Sequence, residues 1–206
     1  MAGFTGFPRE ATEFFKQLES NNNRDWFLAH KDVYDQACRE PMKALLAELD
    51  PGFGGRGISR INRDMRFSRD GGPYKNYIAA GVRKNYIGLS AQGLYVGTGM
   101  YKPEAATLQR FRAAIHDEAS GPALVKLVSA LRRKGYQVDT HASLSSAPRG
   151  FSADHPRIEL LRMKDIFAGK LFPPGPMLGT RKLVGGITRV IEDIQPLGTW
   201  LGRYVV

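Results

Sequence analysis

Ile58-Ser59-Arg60-Ile61-Asn62-Arg63-Asp64-Met65-Arg66-Phe67-Ser68 alternates in polarity with the two-residue period of a β-strand. One parity carries Ser59, Ile61, Arg63, Met65 and Phe67, a core face interrupted by a single arginine. The other carries Ile58, Arg60, Asn62, Asp64, Arg66 and Ser68, which is almost wholly polar. An arginine on an apolar face cannot shed its charge, so it needs a carboxylate, carbonyls or a bound anion. Arg63 is therefore expected to be largely buried and paired with an acid such as Asp70. The polar parity is either a solvated face or the floor of a ligand cleft, since antiparallel sheets accommodate both.

Downstream, Tyr77 to Arg83, Tyr86 to Ser90 and Gly93 to Tyr101 are three more short strands separated by turn residues, which predicts an antiparallel meander. Tyr136 to Asp139 and Lys164 to Leu171 read as edge strands flanking a short helix near Pro156 to Arg162. Upstream lies a helix from about Pro8 to Glu19, broken by Asn21-Asn22-Asn23, residues that end one helix and cap the next. A second helix starts near Arg24, is expected to anchor Trp26 and Phe27 in the core, and bends or restarts at Pro41. Further helices are predicted over Pro103 to Asp117, Pro122 to Lys134 and Thr180 to Tyr204, the last interrupted by Pro196. Helices flanking a block of strands give an α+β class, with a mostly antiparallel sheet over about residues 58–101 and a single domain spanning 1–206.

The chain has 206 residues, 42% of them hydrophobic, enough for a substantial core. It has no apolar run of membrane-spanning length, and its first residues lack a basic region and an apolar signal core, so a cytoplasmic location is expected. The single cysteine, Cys38, sits among helix formers and reads as a core residue. The net charge is +10, and it is concentrated. Between Arg56 and Lys84 there are eight basic residues against two acids, Asp64 and Asp70.

Ser68-Arg69-Asp70-Gly71-Gly72-Pro73-Tyr74-Lys75 is a turn by composition, yet it carries two cations, a serine, a tyrosine and amides beside two glycines. Arginine forks and exposed N–H groups are what phosphate or carboxylate recognition requires. The candidate ligand-binding set is Arg60, Arg63, Arg66, Ser68, Arg69, Tyr74 and Lys75. The competing account has Asp64 and Asp70 pair with neighbouring arginines simply to hold the turn.

Phe14-Phe15 and Leu18 followed by Asn21-Asn22-Asn23-Arg24-Asp25-Trp26-Phe27, then Arg63-Asp64-x-Arg66-Phe67-Ser68-x-Asp70-x-x-Pro73-Tyr74-Lys75, resemble the bacterial and fungal family catalogued as domain of unknown function 2461. The likeness continues through Gly97 to Pro103, Leu108, Arg112, Pro148-Arg149-Gly150-Phe151 and Asp154-His155-Pro156. The resemblance implies a fold and a shared polar site, with no established activity or catalytic residues. Members usually carry a lysine where this chain has Gly71, so one cation of that site is missing.

Candidate catalytic groups are His155, Asp64 and Asp70. For His155 the setting between Asp154 and Pro156 is equally that of a helix start. His30, His116 and His141 have no partner spacing, no metal-ligand pattern occurs, and Gly97-Thr98-Gly99 lacks the third glycine of a dinucleotide fingerprint, so no cofactor is implied. Trp26, Tyr74, Tyr77, Tyr86 and Tyr95 offer rings near the basic segment, as single-stranded nucleic acid would want, though tyrosines are also good strand formers. Three functions compete. The leading one is a domain binding an anionic small molecule, with hydrolysis or transfer as the natural reaction class were it an enzyme. The others are a nucleic-acid-binding module and a protein-interaction domain whose arginines are structural. No membrane partner is expected.

Overall fold

The computed structural model describes residues 3–52, 57–64, 66 and 72–206. The chain divides into two compact units, residues 1–96 with 171–189, and residues 97–170 with 190–206. An antiparallel five-stranded sheet is built from β1 (Tyr77–Val82), β2 (Asn85–Ser90), β3 (Gly93–Met100), β4 (Gln137–Asp139) and β5 (Ile166–Phe172), in the order β1-β2-β3-β5-β4. The α+β class expected from the residue pattern is what the chain adopts.

In the first unit, α1 (Arg9–Ser20) starts after Pro8 and buries Phe14, Phe15 and Leu18, packing against β2. Asn23 caps α2 (Arg24–Ala29), its side-chain oxygen accepting from the Trp26 N–H at 3.0 Å. A turn of helix α3 (Lys31–Val33) leads into a π-helical turn, Tyr34–Arg39, and then α4 (Glu40–Leu49). The irregularity expected at Pro41 falls one turn earlier, for a physical reason. Proline has no N–H to give the Ala37 carbonyl, so the wider i→i+5 pattern takes up the turn before it. Phe27 is buried as expected, but Trp26 is only half-buried, stacking on the His30 ring at 4.0 Å and leaning on Phe14 at 5.5 Å.

The segment expected to be the first strand departs from regularity. Residues 58–62 lie alongside 74–80 through two isolated antiparallel bridges, Ile58 with Ala80 and Asn62 with Tyr74. The stretch 74–80 is two residues longer than the stretch it faces, so no continuous ladder forms. Burial still follows the expected parity at Arg60, Asn62, Asp64 and Arg66, all exposed. Ile61 and Arg63 are half-buried, so Arg63 is not the deeply buried arginine that its apolar neighbours suggest.

In the second unit, α5 (Ala105–His116) and α6 (Gly121–Arg133) pack on each other, with α6 also against β4. A short helix, α7 (Ile158–Arg162), precedes β5. That strand lies between β3 and β4 and is therefore interior, not an edge. The last helix, α8 (Lys182–Tyr204), counts with the first unit to residue 189 and with the second from residue 190, and it runs through Pro196 without stopping; there the lost bond is the one to the Glu192 carbonyl. Buried Leu197, Trp200 and Leu201 continue the apolar face past the proline, and the Trp200 indole donates to the Ser120 carbonyl at 3.0 Å. Tertiary packing thus holds a helix that proline alone would end.

Candidate functional site

Tyr74 organises the site in the first unit. It is buried and stacks on Phe27, ring centroids 4.0 Å apart and planes 18° apart. In the bridge with Asn62, the backbone bonds run from Arg63 N to Pro73 O (2.8 Å) and from Lys75 N to Ile61 O (2.8 Å). The N–H and C=O of Tyr74 itself therefore point the other way, towards the Asn22 side chain. Asn22 answers both: its Oδ1 accepts from Tyr74 N at 3.0 Å and its Nδ2 donates to Tyr74 O at 2.9 Å. The same Nδ2 reaches Asn76 Oδ1 at 3.0 Å. Asn22 thus does for Tyr74 what a residue of a neighbouring strand would do. The approach is close enough that a Cβ on Gly72 would lie 2.2 Å from the Asn22 carbonyl oxygen, so only glycine fits there.

This anchoring holds residues 58–62 across from α2, the π turn and α4, and a cavity of about 300 Å³ lies between them. Its lining includes Lys31, Arg39, Lys43 and Arg60, against the single acid Asp35, over an apolar floor of Phe27, Tyr34, Ile58 and Ile61. Asp35 pairs with Lys31 and stands 3.9 Å from Arg39, and Lys43 pairs with Glu40 at 2.5 Å. Burial pushes the Tyr34 phenol well above its ordinary range, so it keeps its proton and remains a donor. Burial likewise raises the Cys38 thiol, whose Sγ lies 3.6 Å from the Ala11 carbonyl oxygen; it is core, as its helix-forming neighbours suggest.

The sequence-predicted site residues are distributed unevenly. Arg60 lines the cavity. The Lys75 ammonium donates to the Arg60 carbonyl at 2.8 Å, and Tyr74 is the buried anchor just described. Arg66 forms a forked pair with Asp64, Nε to Oδ1 at 3.0 Å and Nη2 to Oδ2 at 2.7 Å. Those hydrogen bonds hold the Asp64 carboxyl below the usual carboxylate range and raise Arg66. Arg63 is half-buried, while Ser68, Arg69 and Asp70 lie outside the described residues. Lys31, Arg39 and Lys43 were not singled out from the sequence. On a helix they are ordinary exposed cations, and only the facing segment makes them converge.

His155 belongs to the second unit and has a partner there. The Arg157 backbone N–H donates to His155 Nδ1 at 3.0 Å, so that nitrogen is unprotonated and the neutral ring carries its proton on Nε2. Nε2 stands 2.9 Å from Nδ1 of His116 and donates to it. Desolvation, with the Arg157 charge behind it, lowers the His155 pKa. The Arg157 guanidinium is buried, donating to the carbonyls of Ile115 (2.6 Å) and His116 (2.8 Å) and pairing with Glu118 at 2.5 Å. That pairing holds the Glu118 carboxyl below its usual range. Separately, Asp165, 2% exposed, accepts from Thr140 Oγ1 and His141 N, both at 2.8 Å, and lies 3.1 Å from His141 Nδ1. Both histidine pairings join residues too far apart in sequence for spacing to reveal them.

Comparison with protein families finds one described as conserved hypothetical protein (DUF2461), matching residues 10–200. The chain belongs to this family. No curated protein and no solved structure matches it. The DUF2461 hallmark from Arg63 to Lys75 supplies, in its described part, the Asp64–Arg66 fork and the Tyr74 anchor. The Asn21-Asn22-Asn23 triplet supplies that anchor's partner and the α2 cap.

Proposed function

We propose that the cleft between residues 58–62 and the α2-to-α4 segment binds a small ligand carrying a phosphate or carboxylate. The observation that supports this most directly is the convergence of four cations on one cavity whose lining holds a single acid. Charge-assisted, forked hydrogen bonds are the strong ones for such groups, and Arg39 and Arg60 are the two forks. Lys31 and Lys43 add positive charge, and the floor of Phe27, Tyr34, Ile58 and Ile61 suits a compact apolar portion of the ligand. The pairing of Asp35 with Lys31 and Arg39 keeps the cleft from being an unbalanced cluster of like charge, and an incoming anion competes with that carboxylate. Arg66 is engaged by Asp64, so it plays the smaller part.

Isothermal titration of the purified chain with inorganic phosphate and with citrate tests the reading. Saturable binding is expected, weakened about tenfold or more in Arg39→Ala and in Arg60→Ala, as befits loss of a hydrogen bond to a charged group. Stability should change by less than about 1 kcal/mol in either variant, because both are solvent-side cations. Arg66→Ala should bind nearly as the parent does. Absence of saturable binding by the parent, or equal binding by all the variants, would remove the cleft from consideration.

A further inference from the structure

The β1–β2 hairpin has two unlike faces. Ile78, Ala80 and Val82 with Ile87 and Leu89 form the buried one. On the other, Tyr77 pairs with Ser90, Ala79 with Gly88 and Gly81 with Tyr86, so these six residues share a surface. Tyr77 and Tyr86 are 40% and 45% exposed on it. Between them Ala79 and Gly88 are small and themselves buried, so the exposed part of this face is Tyr77, Gly81 and Tyr86. A Cβ on Gly88 would lie 2.4 Å from the Tyr86 hydroxyl, so the Tyr86 ring lies back across that glycine instead of standing off the sheet. The Tyr95 ring is next to it, centroids 6.4 Å apart. From the register, the Cα atoms of Tyr77 and Tyr86 stand about 14 Å apart, four residues along and one strand across, and the rings lie closer because the Tyr86 side chain folds back across Gly88.

Charge on this hairpin has one sign. Residues 72–96 contain no aspartate or glutamate, and contain Lys75, Arg83 and Lys84. Lys75 is two residues before Tyr77, and Arg83-Lys84 is the two-residue turn two positions before Tyr86. Both turn residues have positive φ, 48° and 63°. That geometry ordinarily selects asparagine and glycine, and two long cations there are unfavourable to the turn itself. Asn85 compensates by donating to the carbonyls of Val82 (3.3 Å) and Arg83 (2.8 Å). The turn is thus held in a form its own residues disfavour, with two cations at its tip.

We propose that this tyrosine face is a docking surface for single-stranded nucleic acid, with bases stacking on Tyr77 and Tyr86 and phosphates meeting Arg83 and Lys84. Exposed rings on a sheet with flanking cations are the two components that sequence-tolerant single-strand binding needs, stacking and backbone charge. The absence of acids in residues 72–96 favours a polyanion over a polypeptide of mixed charge. This site is separate from the anion cleft and does not rest on it.

The test is fluorescence anisotropy with labelled oligo-dT and oligo-U of about 12 nucleotides, within the usual span of such sites. A duplex of equal length and heparin serve as competitors lacking accessible bases. The expected result is preference for the single strands over both competitors. Tyr77→Ala and Tyr86→Ala should each weaken binding roughly 5- to 150-fold, while Tyr77→Phe and Tyr86→Phe retain it. Arg83→Asn with Lys84→Asn, residues that accept the turn geometry, should lower the salt slope by about 1.4. Arg39→Ala should leave oligonucleotide binding intact. The proposal is overturned if the parent does not bind, if duplex or heparin competes equally, or if alanine variants with parental circular dichroism bind as the parent does. It is also overturned if Arg39→Ala abolishes binding, since the cleft would then be the nucleic-acid site.

Discussion

Replacing Asn22 with alanine would remove the only side chain that answers both backbone groups of Tyr74 among the described residues. Tyr74 is 6% exposed, so its N–H and C=O would be left largely without partners. Each unsatisfied buried backbone group costs about 1–3 kcal/mol. Asn22 is itself half-buried and water can partly reach the vacated position, which places the total near the lower end, about 2–4 kcal/mol. For a chain of this length that lowers the melting temperature by about 5–15 °C. Asn22→Asp keeps the Oδ1 acceptor for Tyr74 N but sets a carboxylate oxygen against the Tyr74 carbonyl, so a loss comparable to that of Asn22→Ala is expected. Asn21→Ala is the control: its exposed Nδ2 reaches only the Gln17 carbonyl, at 2.9 Å, and the change should stay below about 1 kcal/mol. Thermal and urea unfolding followed by two probes give the energies, and amide hydrogen exchange at Tyr74 reports the lock directly. If Asn22→Ala unfolds within 1 kcal/mol of the parent (about the Asn21→Ala effect) and Tyr74 keeps its protection, Asn22 does not anchor the site segment.

Trp26→Ala should cost about 2 kcal/mol, roughly half the full core penalty, because the indole is half-buried between His30 and Phe14, whereas Phe27→Ala should cost about 3–5 kcal/mol; urea midpoints at constant m-value separate them. The lowered pKa of His155 means that the folded state prefers the neutral ring and the unfolded chain binds the proton more readily. Stability should accordingly be complete above the unfolded value of about 6.5 and fall as pH drops through the folded pKa below it. His155→Gln should flatten that part of the melting-temperature profile, and an imidazole NMR titration midpoint at or above about 6.5 in the parent would contradict the assignment.

Local chemistry was legible in the sequence because it is written at spacings of two to four residues. Pro8 and Asn23 marked helix starts, turn residues marked off the three strands of the meander, and Cys38 read as core. The exposure of Arg60, Asn62, Asp64 and Arg66 followed from parity alone. Propensity misled where packing overrode it. Pro196 sits inside a helix whose apolar face continues beyond it, and β5 became interior because β4 lies outside it. Asn22 read as a helix breaker, whereas its larger task is to satisfy a residue 52 positions away. The cations that converge with Arg60 come from α3, the π turn and α4, where sequence pattern shows only a solvated helix surface. Composition and periodicity thus determined which elements form and which way their residues face. The tertiary structure decided which charges share a cleft and which histidines share a proton, because those pairings join residues tens of positions apart, and only chain folding sets the distance between them.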